Sequence, residues 1–104
     1  MEKLIPLAKV KQHLRVDSED EDDTIVLYRD AAVERAEQYL EAKLTDGAAA
    51  DGEIAINSAI VAACLIAAAW LYERREGGDT GRTDEMPQGF YALLMPYRRR
   101  LGVC

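Results

Sequence analysis

A chain of 104 residues and 11.6 kDa has room for one hydrophobic core and not for two. Apolar residues make up 49% and charged residues 31%, the balance of a globular domain, and the longest wholly apolar run, residues 59–72, falls short of the ~18–20 residues that cross a bilayer. Thirteen Lys and Arg against nineteen Asp and Glu give a net charge of −6, which counts against a dedicated grip on nucleic-acid phosphates.

The charge excess is local: residues 1–52 hold 13 acids and 7 bases, whereas residues 53–104 hold six of each. The first segment has no apolar core of signal-peptide length and no small-residue cleavage site, which predicts a cytosolic chain, neither exported nor membrane-spanning. Sixteen alanines and almost no apolar/polar alternation predict helices throughout. Pro6 suits the first turn of a short helix whose apolar stripe is Leu7, Val10 and Leu14.

Residues 17–23 then hold six acids in seven positions. The ligand order and central glycine of a calcium loop are absent. Ser18 and Glu21 have the spacing of a capping box, so the reading adopted is a solvated helix start. Glu19, Asp20, Asp22 and Asp23 would crowd the positive end of its dipole.

The helix that follows is expected to run to about Leu44. Asp30, Glu34, Glu37 and Glu41 form one polar stripe; Val26, Val33 and Leu40, with Ile25, Tyr28, Ala32, Ala36 and Tyr39, form the apolar face. The two tyrosines should pack with their hydroxyls at the rim. Thr45, Asp46 and Gly47 should stop the helix, and residues 46–52 read as a small-residue connection.

A second long helix is expected from Ile54 to about Glu76. Its run over residues 59–72 is apolar all round, which predicts a helix surrounded by others, with Leu65, Ile66 and Leu71 in the stability core. Residues 77–86 are polar and glycine-rich and read as a mobile loop. Pro87 should open a last short helix carrying Phe90, Leu93 and Leu94, which Pro96 kinks or ends before Tyr97, Arg98, Arg99 and Arg100. The expected fold is all-α: a small single domain over residues 1–104, two long and two short helices around a central alanine-rich helix.

Chemistry is hard to find. His13, the one histidine, has no nucleophile context, and no Glu-x-x-His pair suggests a di-iron site. Cys64 and Cys104 lack metal or redox spacing and read as a buried and a terminal free thiol. Nothing in the acidic run would raise one carboxyl over its neighbours. The expectation is no enzyme, no catalytic residue, no metal and no cofactor. The run Tyr97, Arg98, Arg99 and Arg100 stays open among three readings: cations at a helix end, an arm that docks on an acidic patch of another subunit, or a phosphate contact.

Several segments together resemble a family. Leu7, Val10, Lys11 and residues 13–17 open the chain as L-x-x-V-K-x-H-L-R-V-D, before the acidic run and a long helix ending near Tyr39, Leu40 and Glu41. The central helix closes on Leu71, Tyr72, Glu73, Arg74, Arg75 and Glu76. Residues 86–98 read MPQGFYALLMPYR. The whole is similar to the head–tail connector proteins of tailed bacteriophages, also called head-completion or DNA-packaging adaptors; Met86 stands where the family usually has an aliphatic residue.

The resemblance implies a structural protein that forms a homo-oligomeric ring, twelvefold in the virion, beneath the portal. The ring would extend the DNA channel and present a surface to further connector or tail proteins. DNA would touch it only in passage. The implied place is the head–tail junction of the virion, with the host cytoplasm during assembly. Candidate subunit or portal contacts are Tyr97, Arg98, Arg99 and Arg100 on one side and Glu19, Asp20, Glu21, Asp22 and Asp23 on the other. The alternatives are a small helical phage or host regulator acting by protein–protein binding, and a small helical DNA binder using the three arginines.

Overall fold

The computed structural model describes residues 2–74 and 85–98. In chain order the elements are α1 (Leu7–Leu14), α2 (Asp22–Leu40), β1 (Lys43–Thr45), β2 (Glu53–Ala55), α3 (Ser58–Glu73), α4 (Gln88–Leu94) and a 3-10 turn (Met95–Tyr97). The domain is mostly helical, as expected, with one small sheet that the all-α expectation did not include.

Pro6 sits at the N-cap of α1, just before the first helical residue, and Val10 is its buried anchor. The capping box at the start of α2 does not form. Ser18 Oγ accepts from the Asp20 amide at 3.2 Å in a local turn, and the helix opens only at Asp22, with no side-chain cap. Ile25, Ala32, Val33, Ala36 and Leu40 are buried along α2, as the periodicity predicts, and Arg29 joins them, whereas Val26, Tyr28 and Tyr39, also expected on the apolar face, are only partly covered.

The helix ends at Leu40, about one turn before the expected stop. Glu41 takes a left-handed conformation (φ 58°) and its amide bonds to the Glu37 carbonyl. The backbone beyond is claimed by other partners. The Lys43 amide donates to the Gly52 carbonyl at 3.0 Å, and the Leu44 amide donates to Glu37 Oε2 at 2.9 Å. Leu44 is thereby buried in a strand rather than carried on a helix. Tertiary bonds outweigh a local preference worth only a few tenths of a kcal/mol per residue.

β1 and β2 pair in parallel, with Lys43 opposite Glu53, Leu44 opposite Ile54 and Thr45 opposite Ala55. A parallel pair normally needs a long crossover. Strands of three residues rise only ~7–10 Å, so the connection of residues 46–52 can return the chain to its start. Gly52 supplies the positive φ (82°) that this return requires.

α3 starts at Ser58, not Ile54, because Asn57 caps it: its Oδ1 accepts from the Ile60 amide at 3.0 Å. Ile60, Ala63, Cys64, Ala67 and Ala68 are fully buried. Leu65 and Ile66 are only partly buried and Leu71 is of intermediate exposure, so the core lies one face round from where the sequence reading put it. The remaining core comes from Ile5, Leu44, Met86, Phe90 and Leu94.

Met86, expected at the end of a mobile loop, is buried; residues 77–84 of that loop, with the predicted helix end at Arg75 and Glu76, lie outside the described residues. α4 carries Phe90 and Leu94 inward as predicted, and Pro96 sits within the 3-10 turn that follows. Among the described residues no helix is long and apolar enough to cross a membrane.

Candidate interaction surfaces

The acidic run divides into committed and free carboxylates. Glu21 accepts from the Tyr72 hydroxyl at 2.5 Å, tying the start of α2 to the last turn of α3. Asp22 pairs with Lys11 of α1 at 2.6 Å. Glu19, Asp20 and Asp23 are exposed and point to solvent. Two of the five expected contact acids therefore hold the fold together. Among the described residues no group of His, Cys, Asp and Glu is arranged to hold a metal ion.

Arg98, which is among the described residues, does not project as a free arm. Arg98 folds back over the Tyr39 ring, 4.8 Å from its centroid, and its guanidinium lies 3.6 Å from Glu41. Tyr39 in turn packs edge-on against Tyr91 at 5.2 Å and tilted against Phe90 at 6.5 Å. The ion pair is half-exposed and contributes little, ~0–1 kcal/mol; the stacked ring gives it a fixed seat. Tyr97 stays 37% exposed, while Arg99, Arg100 and Cys104 lie outside the described residues. The structure thus places Arg98 at one end of α2 and the acidic run at the other, separated by a helix of 19 residues, about 28 Å. Within one subunit they cannot meet.

Two open grooves border these elements. One, about 570 Å³, lies between the C-terminal half of α2 and the strands, with Glu34, Glu37 and Glu41 along one wall and Lys43 along the other. Glu37 is already spent on the Leu44 amide. The other, about 500 Å³, lies between α1 and α3 and is lined by Lys9, Ile56, Asn57, Val61, Ala62 and Leu65.

Arg29 was not legible as part of the fold. Its guanidinium is buried against Glu2, Asp30 (2.9 Å) and the Ile5 carbonyl (3.4 Å), which fastens the N-terminal segment across α2. Glu2 also stands in for the side-chain cap that Pro6 lacks: both carboxylate oxygens accept from the Leu7 amide, at 3.3 and 3.1 Å. The amide, and after it the Arg29 guanidinium, hold the Glu2 carboxyl below its ordinary pKa. Cys64 is the opposite case. Burial pushes its thiol up to about 12, so it is a small apolar filler and not a nucleophile.

Residues 4–98 match the family described as phage gp6-like head-tail connector protein. The chain belongs to that family. Its fold is also that of bacteriophage HK97 gp6, whose crystal structure superposes with a TM-score of 0.74 over 93% of this chain and 95% of the other, at 24% identity. No curated protein matches the sequence. The family is one of structural phage connectors, not known as an enzyme family, which agrees with the resemblance read from the sequence.

Proposed function

We propose that this connector is a ring adaptor seated beneath the portal, which joins the DNA-filled head to the tail and extends the DNA channel. The observation that carries the reading is the family match across residues 4–98, nearly the whole described chain. Its partners are further copies of itself, twelve in the virion, then the portal protein on one side and downstream connector or tail proteins on the other. It assembles in the host cytoplasm and ends at the head–tail junction.

The charge supports a channel element. A net charge of −6 repels phosphate, so DNA passes such a ring without sticking. The separation of Arg98 from the acidic run also suits head-to-tail assembly, in which unlike ends of neighbouring subunits meet. Glu19, Asp20, Asp23, Tyr97, Arg99 and Arg100 are the residues we assign to contacts with neighbours, portal or tail. Glu21, Asp22 and Arg98 support them from within the subunit.

Light scattering coupled to size exclusion, followed by negative-stain imaging, tests the reading. The expected result is a large symmetric oligomer with a central hole that co-elutes with portal protein. A species that stays monomeric or dimeric at every concentration and ignores the portal would falsify it.

A further inference from the structure

α3 has no charged residue between Ser58 and Tyr72, and its subunit covers it unevenly: Val61, Ala62 and Leu65 are only partly buried. Each residue turns the helix by about 100°. Ile60, Cys64, Ala67 and Ala68 are fully buried, whereas Val61, Leu65 and Ala62, about 100–200° round from Ile60, are partly buried and line the groove against α1. The floor of this groove is apolar and its rim carries one cation, Lys9, which has no ion pair among the described residues.

α2 offers a matching feature on its own outer side. Leu27 is 63% exposed, the most open large apolar side chain among the described residues. It lies two residues beyond the buried Ile25, about 200° round the helix and so directly away from the core. One turn before it is Asp23, and two turns after it is Glu34; both are exposed and have no ion pair among the described residues. The molecule therefore carries an apolar knob flanked by acids on the outer side of α2. Between α1 and α3 it carries a largely apolar groove rimmed by a lysine.

We propose that a second copy of this chain fills the groove: Leu27 of one copy seats against Val61, Ala62 and Leu65 of the next, with Asp23 beside Lys9. The knob is on α2 and the groove is between α1 and α3, so each copy can give a knob to one neighbour and take one from the other. Such a contact is heterologous and closes into a ring when the rotation allows. This deepens the ring reading and rests on it. The charge match selects a second copy over an unrelated partner, since both complementary surfaces belong to the same chain.

Sedimentation of the full chain across a concentration series tests the contact. Leu27→Ser and Lys9→Glu should each weaken association by about tenfold or more, with melting temperatures of the dilute monomers unchanged because both side chains are exposed. The double variant Lys9→Glu with Asp23→Lys should recover most of the loss. In chains carrying Cys104→Ser, mild oxidation of a mixture of Leu27→Cys and Ala62→Cys proteins should give a covalent dimer that neither protein gives alone. A dimer from the Ala62→Cys protein by itself would mean a two-fold contact and would overturn the proposal. Rings that form equally well in every variant overturn this assignment while leaving the ring reading intact. A parent chain that never associates overturns both.

Discussion

α2 and α3 are of similar length and pack against each other, but they carry opposite kinds of information. α2 alternates charge with apolar residues, so its inward side could be read directly, and Ile25, Ala32, Val33, Ala36 and Leu40 are buried as expected. Between Ser58 and Tyr72, α3 has no charged residue to mark an outer side. Its sequence says that it is apolar, not which part the subunit covers. The difference teaches that an all-round apolar helix in a small domain states a total need for burial, part of which a neighbour can meet.

The sharpest way to break that comparison is to truncate on the two sides of α3 and at the residue packed against it. Phe90→Ala should cost about 3–5 kcal/mol, since the ring is fully buried within the aromatic cluster. Ile60→Ala should cost about 2–5 kcal/mol for the same reason. Leu65→Ala should cost less than half of the Ile60 value when measured on dilute monomer, because its side chain is already partly in water. Urea unfolding of the three variants checks this, and equal losses at positions 60 and 65 would remove the two-sided description of α3.

Arg29→Met comes next in size. A buried ion pair broken from one side is costly when the remaining charge is stranded. Here Glu2 and Asp30 are 63% and 38% exposed and return to water, so the expected loss is only ~1–2 kcal/mol. Faster amide exchange at Ile5 and Leu7, relative to α3, should accompany it, because Arg29 fastens the N-terminal segment to α2.

The two helix starts form a smaller pair. Asn57→Ala should cost roughly 0.5–2 kcal/mol, since its side chain satisfies the Ile60 amide. Ser18→Ala should stay within ~0.5 kcal/mol, since Ser18 lies outside the helix it was expected to cap. Thermal melts that show the reverse order would restore the capping box.

Much of the fold was legible because period and breakers are local. The four helices, the inward residues of α2 and the helix after Pro87 followed from spacing alone. Much of what failed traces to competition from partners outside the helix in question. Leu44 left the helix because Glu37 and Gly52 claim the backbone there. Glu21 bonds to Tyr72, 51 residues away, instead of capping its own helix. Arg98, left open among three readings, lies over Tyr39 and near Glu41 while staying half-exposed. Asn57 could have been found: an Asn directly before a long apolar run is a standard helix-start signal. Leu27 could have been found as well, since it lies about 200° round α2 from Ile25; Arg29 could not, since nothing near it in sequence shows that Glu2 and the Ile5 carbonyl receive it.

The smallest effect concerns Glu2 and acid. Its carboxyl is held below the ordinary value of 4.5, first by the Leu7 amide and then by Arg29. A folded-state pKa below the unfolded one means that the unfolded chain takes up the proton first as pH falls. The contribution of Glu2 is therefore fully present above its unfolded value and disappears as pH drops through the lowered one. Because the carboxylate is open to solvent, the effect is salt-sensitive and small against the buried core. In Glu2→Gln the amide oxygen can still accept from Leu7, but the charge that faces Arg29 is gone. The variant should match the parent at the acid end of a pH–stability series and fall slightly below it at neutral pH, with the gap narrowing in salt. A gap that is widest in acid would mean that the protonated form of Glu2, and not the carboxylate, supports the start of α1.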